Sequence, residues 1–173
     1  TFKPFVYATA IDQLHYSPCD ELPDTPFCIE AGKYGNPEEW CPRNSNGETD
    51  YGGKRSLKNA LANSVNTITA RLIDKVGPQP VADLAKKLGV ESEILPVPAI
   101  ALGVSELSVY EMVGAYSTFA NKGVYTKPVM VTSIEDKNGT ILYQFTPETN
   151  DVLSEETAYV TVKLMEGVTQ SGS

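Results

Sequence analysis

The sequence predicts an α+β fold that is mainly helical and carries one late β-hairpin. Apolar residues recur at three- and four-residue spacings along most of the 173-residue chain, a pattern typical of amphipathic helices. Strand-forming residues are concentrated around a single Asn138-Gly139 pair. An isolated hairpin is only marginally stable in water, so we expect most of a central sheet to be missing from these residues.

The first helix is expected over residues 2–14, whose apolar residues include several three- and four-residue spacings. Pro4 has no N–H to donate, so this helix should begin close to the first residue of the chain. From residue 16 to residue 53 the composition shifts to Pro, Gly, Asn, Asp and Ser. That shift predicts an irregular excursion that contains a hairpin.

Five further helices are expected along the rest of the chain. Three of them are indicated by their helical patterns, over residues 56–63, 66–76 and 80–88. A capping box at Ser108 and Glu111 opens the fourth, and Gly123 closes it.

The hairpin is expected where β-prone runs at 129–135 and 140–145 flank Lys137-Asn138-Gly139. Asn-Gly tolerates the positive φ angles of a tight turn, which is why this pair favours a hairpin. A final helix should follow over residues 155–166, with Ser154 as its N-cap.

The charge of the chain excludes some partners. Fourteen basic and 22 acidic side chains give a net charge of −8. A nucleic-acid surface needs a basic stripe, and adhesion to anionic lipid needs basic clusters, so we expect neither. The longest apolar-rich stretch, residues 95–104, is interrupted by prolines and is shorter than the roughly 20 residues of a membrane span.

Three cysteines and the only histidine lie early in the chain, at Cys19, Cys28, Cys41 and His15. They do not form the C-x2-C or H-x3-H pairs typical of zinc sites, so we expect no metal. A turn-like segment at 32–37 favours a disulfide between Cys28 and Cys41, with three small buried thiols as the alternative. His15 is expected to be a surface or capping residue at a helix end.

The remaining catalytic possibility is a serine–lysine system. A serine hydroxyl needs an adjacent base, and a lysine acts as that base only when burial or a nearby cation keeps it neutral. In an S-x-x-K pattern the two side chains share one helix face. Lys3 suits the lysine position, and Ser64-Val65-Asn66 lies between two helical patterns. On spacing alone, a solvated amine is the favoured interpretation of Lys3, and an ordinary helix cap is the favoured interpretation of Ser64.

Several motifs resemble, in order, those of class A penicillin-binding proteins, the bifunctional peptidoglycan synthases. Thr1-Phe2-Lys3-Pro4-Phe5 is similar to the stretch G-S-T-F-K-P-F that contains the active-site serine of this family. Residues 40–44 resemble its W-x-P-x-N motif, and residues 57–66 resemble its L-x-x-A-L-x-x-S-x-N run. Residues 101–103 and 115–123 resemble its A-L-G and A-Y-x-x-F-A-N-x-G segments.

The resemblance implies a penicillin-binding or serine β-lactamase-like transpeptidase fold. Residues 1–173 would form one partial domain, without the catalytic serine and without the K-T-G strand. Lys3 would be the base that activates the serine, Ser64 would relay the proton, and Asn66 would hydrogen-bond the substrate amide. The implied reaction is serine acyl transfer that cross-links peptidoglycan stem peptides, without a cofactor, and β-lactams would acylate the same serine.

The resemblance also implies a location on the extracytoplasmic, periplasmic face of the bacterial inner membrane. The parent protein would contact the membrane only through an anchor that lies outside these residues. The 173-residue chain by itself is expected to be inactive, because its nucleophile would be the residue before Thr1. Helix faces left uncovered by absent strands should also favour self-association of the fragment.

Two alternatives remain at this point. A serine β-lactamase or β-lactam sensor shares S-x-x-K and S-x-N-like motifs but should lack the W-x-P-x-N and A-Y-x-x-F-A-N-x-G segments. A non-catalytic binding module of a cell-wall complex would keep the helical scaffold and have a residue other than serine before Thr1.

Overall fold

The computed structural model describes residues 2–45 and 51–172, and it confirms the mainly helical α+β class. The α-helices are α1 (Lys3–Leu14), α2 (Leu57–Ala62), α3 (Asn66–Val76), α4 (Pro78–Lys87), α5 (Val109–Ala120) and α6 (Glu155–Ser171). The strands are β1 (Glu21–Asp24), β2 (Gly53–Ser56), β3 (Val124–Thr126), β4 (Ser133–Glu135), β5 (Ile141–Gln144) and β6 (Thr149–Asp151).

Helix α1 lies in the middle of the fold. All its residues from Lys3 to Ile11 are buried, and a helix buried all round needs neighbours on every side. Helices α3, α4 and α6 pack against it. The ring of Phe5 also lies 5.9 Å from the ring of Tyr116 and 6.0 Å from that of Phe119, both on α5.

The strands form three antiparallel pairs, β1–β2, β3–β6 and β4–β5. The expected hairpin is confirmed as β4–β5, although its first strand is only Ser133–Glu135 and not the whole run 129–135. The pairs β1–β2 and β3–β6 were not predicted. Strands β1, β2, β3 and β6 have three or four residues each, too few to produce a recognisable alternation in the sequence.

Most helix bounds differ little from the expected ones, and α3 has the expected bounds. Helix α4 begins two residues early because Pro78 occupies its first turn, where a missing N–H costs nothing. Helix α6 continues to Ser171 and buries Leu164 and Gly167. A 3-10 helix at Pro98–Leu102 was not predicted.

The excursion between α1 and α2 is closed by a disulfide between Cys28 and Cys41, as predicted. Next to it, Ile29 and Trp40 exchange two backbone hydrogen bonds of 2.9 Å. Cys19 is free and exposed, so the alternative of three buried thiols was wrong. His15 is exposed and ends α1 at a φ of 55°, which agrees with the expected capping position.

Many exposed apolar side chains lie on the β4–β5 hairpin and the segment before it. Met130 is 99% exposed, and Ile134, Ile141 and Leu142 are at least half exposed. Apolar side chains are also exposed on a helix face, at Val109 (81%) and Val113 (52%) of α5, and self-association stays a prediction. Across residues 2–45 and 51–172, no helix is both long enough and apolar enough to cross a bilayer.

We expect Gly123→Ala to destabilise the domain more than Gly139→Ala. Both glycines have positive φ angles, 86° and 82°, so alanine costs about 1–2 kcal/mol of backbone energy at either position. A Cβ at Gly123 would also overlap the backbone carbonyl of Leu153, which adds about 1–3 kcal/mol, whereas Gly139 has open space around it. Thermal unfolding of the two variants measures the difference, and equal melting temperatures would contradict this packing.

Candidate active site

The start of α1 and the junction between α2 and α3 bring the three expected site residues together. The Lys3 Nζ atom lies 2.9 Å from Ser64 Oγ and 2.6 Å from Asn66 Oδ1. It also donates a hydrogen bond to the backbone carbonyl of Ser64. Ser64 and Asn66 lie 61 and 63 positions after Lys3 in the sequence, yet both contact its amine. Thr1, which belongs to the same motif as Lys3, lies outside the described residues.

The geometry of Ser64 explains how this junction turns toward Lys3. Helix α2 ends before Ser64, which has a φ of 53° in the left-handed region, and α3 begins two residues later at Asn66. The turn aims the side chains of Ser64 and Asn66 at the same amine. A left-handed serine carries a backbone cost of about 1–3 kcal/mol, and such cost is common at functional sites.

The Lys3 amine has an unusual environment for a lysine. The residue is only 8% exposed, and its three hydrogen-bond partners are uncharged oxygen atoms. Burial removes water from the ammonium ion without an opposite charge to replace it, and this lowers the pKa of Lys3 to about 8. A neutral lysine has a free lone pair, so at the same distance it is able to accept a proton from the Ser64 hydroxyl.

Asn44 holds the first turn of α3. Its Oδ1 atom accepts hydrogen bonds from the backbone N–H groups of Asn66, at 3.0 Å, and Thr67, at 3.2 Å. The N-cap residue Val65 provides no side-chain cap, so Asn44 performs this function from 22 residues away. In addition, Asn66 Nδ2 donates to the carbonyl of Arg43 at 2.7 Å.

Behind Asn44 lies a buried carboxylate, Asp24, at the end of β1. It accepts hydrogen bonds from Thr67 Oγ1 at 2.6 Å, Asn44 Nδ2 at 2.9 Å and Arg55 Nε at 2.6 Å. Burial by itself would raise the pKa of Asp24, but these donors outweigh it and the pKa is lowered. Sequence reasoning found Asn44 only as part of the W-x-P-x-N resemblance, without a role, and did not find Asp24.

A groove of about 420 Å³ adjoins this site through Arg43. The residues that line it are Pro26, Phe27, Cys28, Cys41, Pro42, Arg43 and Tyr51. Its lining is mostly apolar and aromatic, and Arg43 contributes a basic residue.

One group of potential metal ligands lies in the excursion between α1 and α2. Cys28, Glu39 and Cys41 are close enough together to share an ion, and all three are exposed. The two sulfur atoms are joined in the disulfide, so neither is available as a thiolate ligand.

A family model and several curated relatives match most or all of the chain. The family model described as the penicillin binding protein transpeptidase domain matches residues 1–173. Penicillin-binding protein 1A of Aquifex aeolicus is 36% identical over 136 residues, which cover 79% of this chain and 18% of that protein. Penicillin-binding protein 1A of Clostridium tetani is 32% identical over 179 residues, which cover 96% of this chain and 22% of that protein.

Solved structures share the fold. Penicillin-binding protein 1A from Haemophilus influenzae has a TM-score of 0.83 at 24% identity, over 98% of this chain and 29% of that chain. The imipenem acyl-enzyme complex of penicillin-binding protein A from M. tuberculosis has a TM-score of 0.77 at 17% identity, over 96% of this chain and 42% of that chain.

The chain spans about a fifth of the length of these curated relatives, so it corresponds to one part of such a protein. The family match runs through all 173 residues and includes the segments that carry Lys3, Ser64 and Asn66. The chain therefore belongs to the penicillin-binding protein transpeptidase domain family.

Proposed function

We propose that this chain is part of a serine DD-transpeptidase that cross-links the stem peptides of peptidoglycan, and that β-lactams acylate the same serine. The observation that carries the proposal is the contact of a buried lysine amine with Ser64 and Asn66. Membership of the transpeptidase family supports it, as does the relative that forms an acyl-enzyme with imipenem.

In the proposed acylation, the nucleophile is a serine immediately before Thr1, one helical turn from Lys3. Lys3 takes the proton of the serine hydroxyl while the oxygen bonds to the carbonyl carbon of the penultimate D-alanine. Ser64 passes a proton from Lys3 to the nitrogen of the terminal D-alanine, whose amide bond breaks. An ester and a free D-alanine result. Asn66 hydrogen-bonds the amide of the donor peptide.

In the proposed deacylation, the amine of a second stem peptide attacks the ester. Its proton returns through Ser64 and Lys3 to the serine oxygen, which leaves as the restored hydroxyl. The new amide is the cross-link, and all groups of the enzyme regain their starting protonation. Both half-reactions use the same amine, first as base and then as acid.

The lowered pKa of Lys3 makes this role feasible near neutral pH. With a pKa of about 8, about one-tenth of the amines are neutral at pH 7. An ordinary lysine, with a pKa of about 10.4, would have less than about one-thousandth in that form.

We also propose that the domain works outside the cytoplasm, on a membrane-anchored parent at the periplasmic face of the inner membrane. The disulfide between Cys28 and Cys41 supports this location, because disulfides persist in oxidising compartments. Both cysteines are exposed, so a reducing cytoplasm would have access to the bond.

Fluorescent penicillin tests the proposal directly. The longer protein should be labelled covalently, whereas the 173-residue chain should not be labelled, because the proposed nucleophile is the residue before Thr1. Gel fluorescence after denaturation measures both. Covalent labelling of the short chain would contradict the placement of the nucleophile, and a longer protein that contains this serine but is not labelled would contradict the function.

The pH dependence of acylation tests the role of Lys3 in the longer protein. The neutral amine is the active form, so the second-order acylation constant should rise about tenfold per pH unit below pH 8 and level off above it. Lys3→Arg keeps a permanent charge and should lower the constant about 10²–10⁴-fold.

The matched control is Lys163→Arg, an exposed residue of α6 paired with Glu166, which should leave the profile unchanged. A rise centred near pH 10, or a Lys3→Arg variant as fast as the wild-type protein, would exclude Lys3 as the base.

Nitrocefin distinguishes the proposed transpeptidase from a serine β-lactamase. The acyl-enzyme that a transpeptidase forms with a β-lactam hydrolyses very slowly. We therefore expect about one equivalent of nitrocefin to be opened per molecule of the longer protein. Sustained turnover, followed at saturating nitrocefin, would favour the β-lactamase instead.

A further inference from the structure

We propose that Asp24 and Asn44 are positioning residues for Lys3, which they reach through the first turn of α3. The proposal rests on the acyl-transfer role proposed above for Lys3 and Asn66. It gives a function to Asn44 of the W-x-P-x-N motif and to a carboxylate that no motif contains.

The first step is the attachment of α3 to Asn44. The backbone N–H groups of Asn66 and Thr67, the first two residues of α3, donate to the single oxygen Oδ1 of Asn44. This oxygen fixes the position at which α3 begins, because Val65 offers no cap of its own. The side chain of Asn66 leaves from that turn and ends 2.6 Å from Lys3 Nζ. A shift of Asn44 is therefore transmitted to the lysine through one residue.

The second step is the orientation of the Asn44 amide. The two ends of an asparagine amide are similar in size, and only hydrogen bonds decide which end points where. An ionised carboxylate accepts hydrogen bonds and cannot donate them. Asp24 Oδ1 lies 2.9 Å from Asn44 Nδ2, so the oxygen end of this amide must face α3. The reversed amide would place its NH2 group against two backbone N–H groups and its oxygen against the carboxylate.

The third step is the rigidity of Asp24 itself. Its side chain is fully buried, and its second oxygen, Oδ2, accepts from Arg55 Nε on the neighbouring strand β2 at 2.6 Å. Thr67 Oγ1 donates to Oδ1, so α3 contacts Asp24 directly as well as through Asn44. These donors favour the ionised carboxylate, which is the form that the orientation of Asn44 requires. A continuous set of hydrogen bonds thus joins β2, β1 and α3 to the amine.

An exchange of the two side chains tests this arrangement in the longer protein. Asp24→Asn should place an NH2 group against either Asn44 Nδ2 or Arg55 Nε, which are both donors. Asn44→Asp should place two carboxylates side by side. In the double variant Asp24→Asn/Asn44→Asp, the amide at position 24 donates to the carboxylate at position 44 and still accepts from Arg55. The carboxylate at position 44 still accepts from α3.

Two measurements distinguish an effect on the active site from an effect on folding. The first-order acylation constant at saturating fluorescent penicillin reports on the active site, and the fraction of protein labelled at the end point reports on folding. Each single variant should label completely but with a constant about 10–100-fold lower, which is the cost of displacing a catalytic group by about 1 Å. The double variant should recover most of the wild-type constant, because the hydrogen-bond directions are restored.

Glu111→Gln provides the matched control. Glu111 is also a buried carboxylate with hydroxyl and backbone donors, but these come from Ser92, Ser108 and the N–H of Glu91. This variant should lower the melting temperature and leave the first-order constant unchanged.

Wild-type constants in folded Asp24→Asn and Asn44→Asp variants would overturn the inference. Single variants in which only the labelled fraction falls would also overturn it, because a purely structural pair would behave in this way. Slow acylation by the single variants, with no recovery of the constant in the double variant, would overturn it as well. Absence of labelling in the wild-type protein would overturn the proposed function instead, so the two failures are distinguishable.

Discussion

Lys3 keeps its amine buried among uncharged oxygens, and the rest of the structure depends on how that amine is held. Desolvation disfavours the ammonium ion, and no carboxylate among its three hydrogen-bond partners offsets the loss. A flexible lysine would escape to water and regain its usual pKa. The amine therefore stays buried only if the helix that carries it is fixed, and the packing of α1 on all sides, with Phe5 against the rings of α5, provides this.

The partners of the amine lie on a short turn with an unfavourable backbone angle. Ser64 has a φ of 53°, and such a conformation persists only where the surroundings determine it more strongly than the residue does. Helix α2 ends at this turn and α3 begins directly after it. Asn44 anchors α3 to the excursion that the disulfide closes. The excursion, which has an irregular composition, thus contributes directly to the geometry around Lys3.

Much of the helical framework was predictable because its signals are local. The apolar spacing of α3 gave its bounds, and Ser108 with Glu111 gave the start of α5, since each signal lies within a few residues. The pairs β1–β2 and β3–β6 were not predictable, because each joins short segments 23 or more residues apart that have no periodicity of their own. The candidate site was found through motifs, whereas the contact between Lys3 and Asn66 depends on packing that no local pattern encodes.

Asp24 and Glu111 illustrate the same limit for single side chains. Glu111 accepts hydrogen bonds from Ser108, three residues away, and its pKa falls to about 2 mainly through the Ser108 side chain. Asp24 collects its donors from residues 20, 31 and 43 positions away, so its neighbours in sequence give no indication of its role. Both carboxylates are ionised and satisfied, yet only Asp24 is joined to Lys3, by way of Asn44 and Asn66. The same chemical group therefore caps a helix in one place and orients an amide in the other, and the long-range fold determines which.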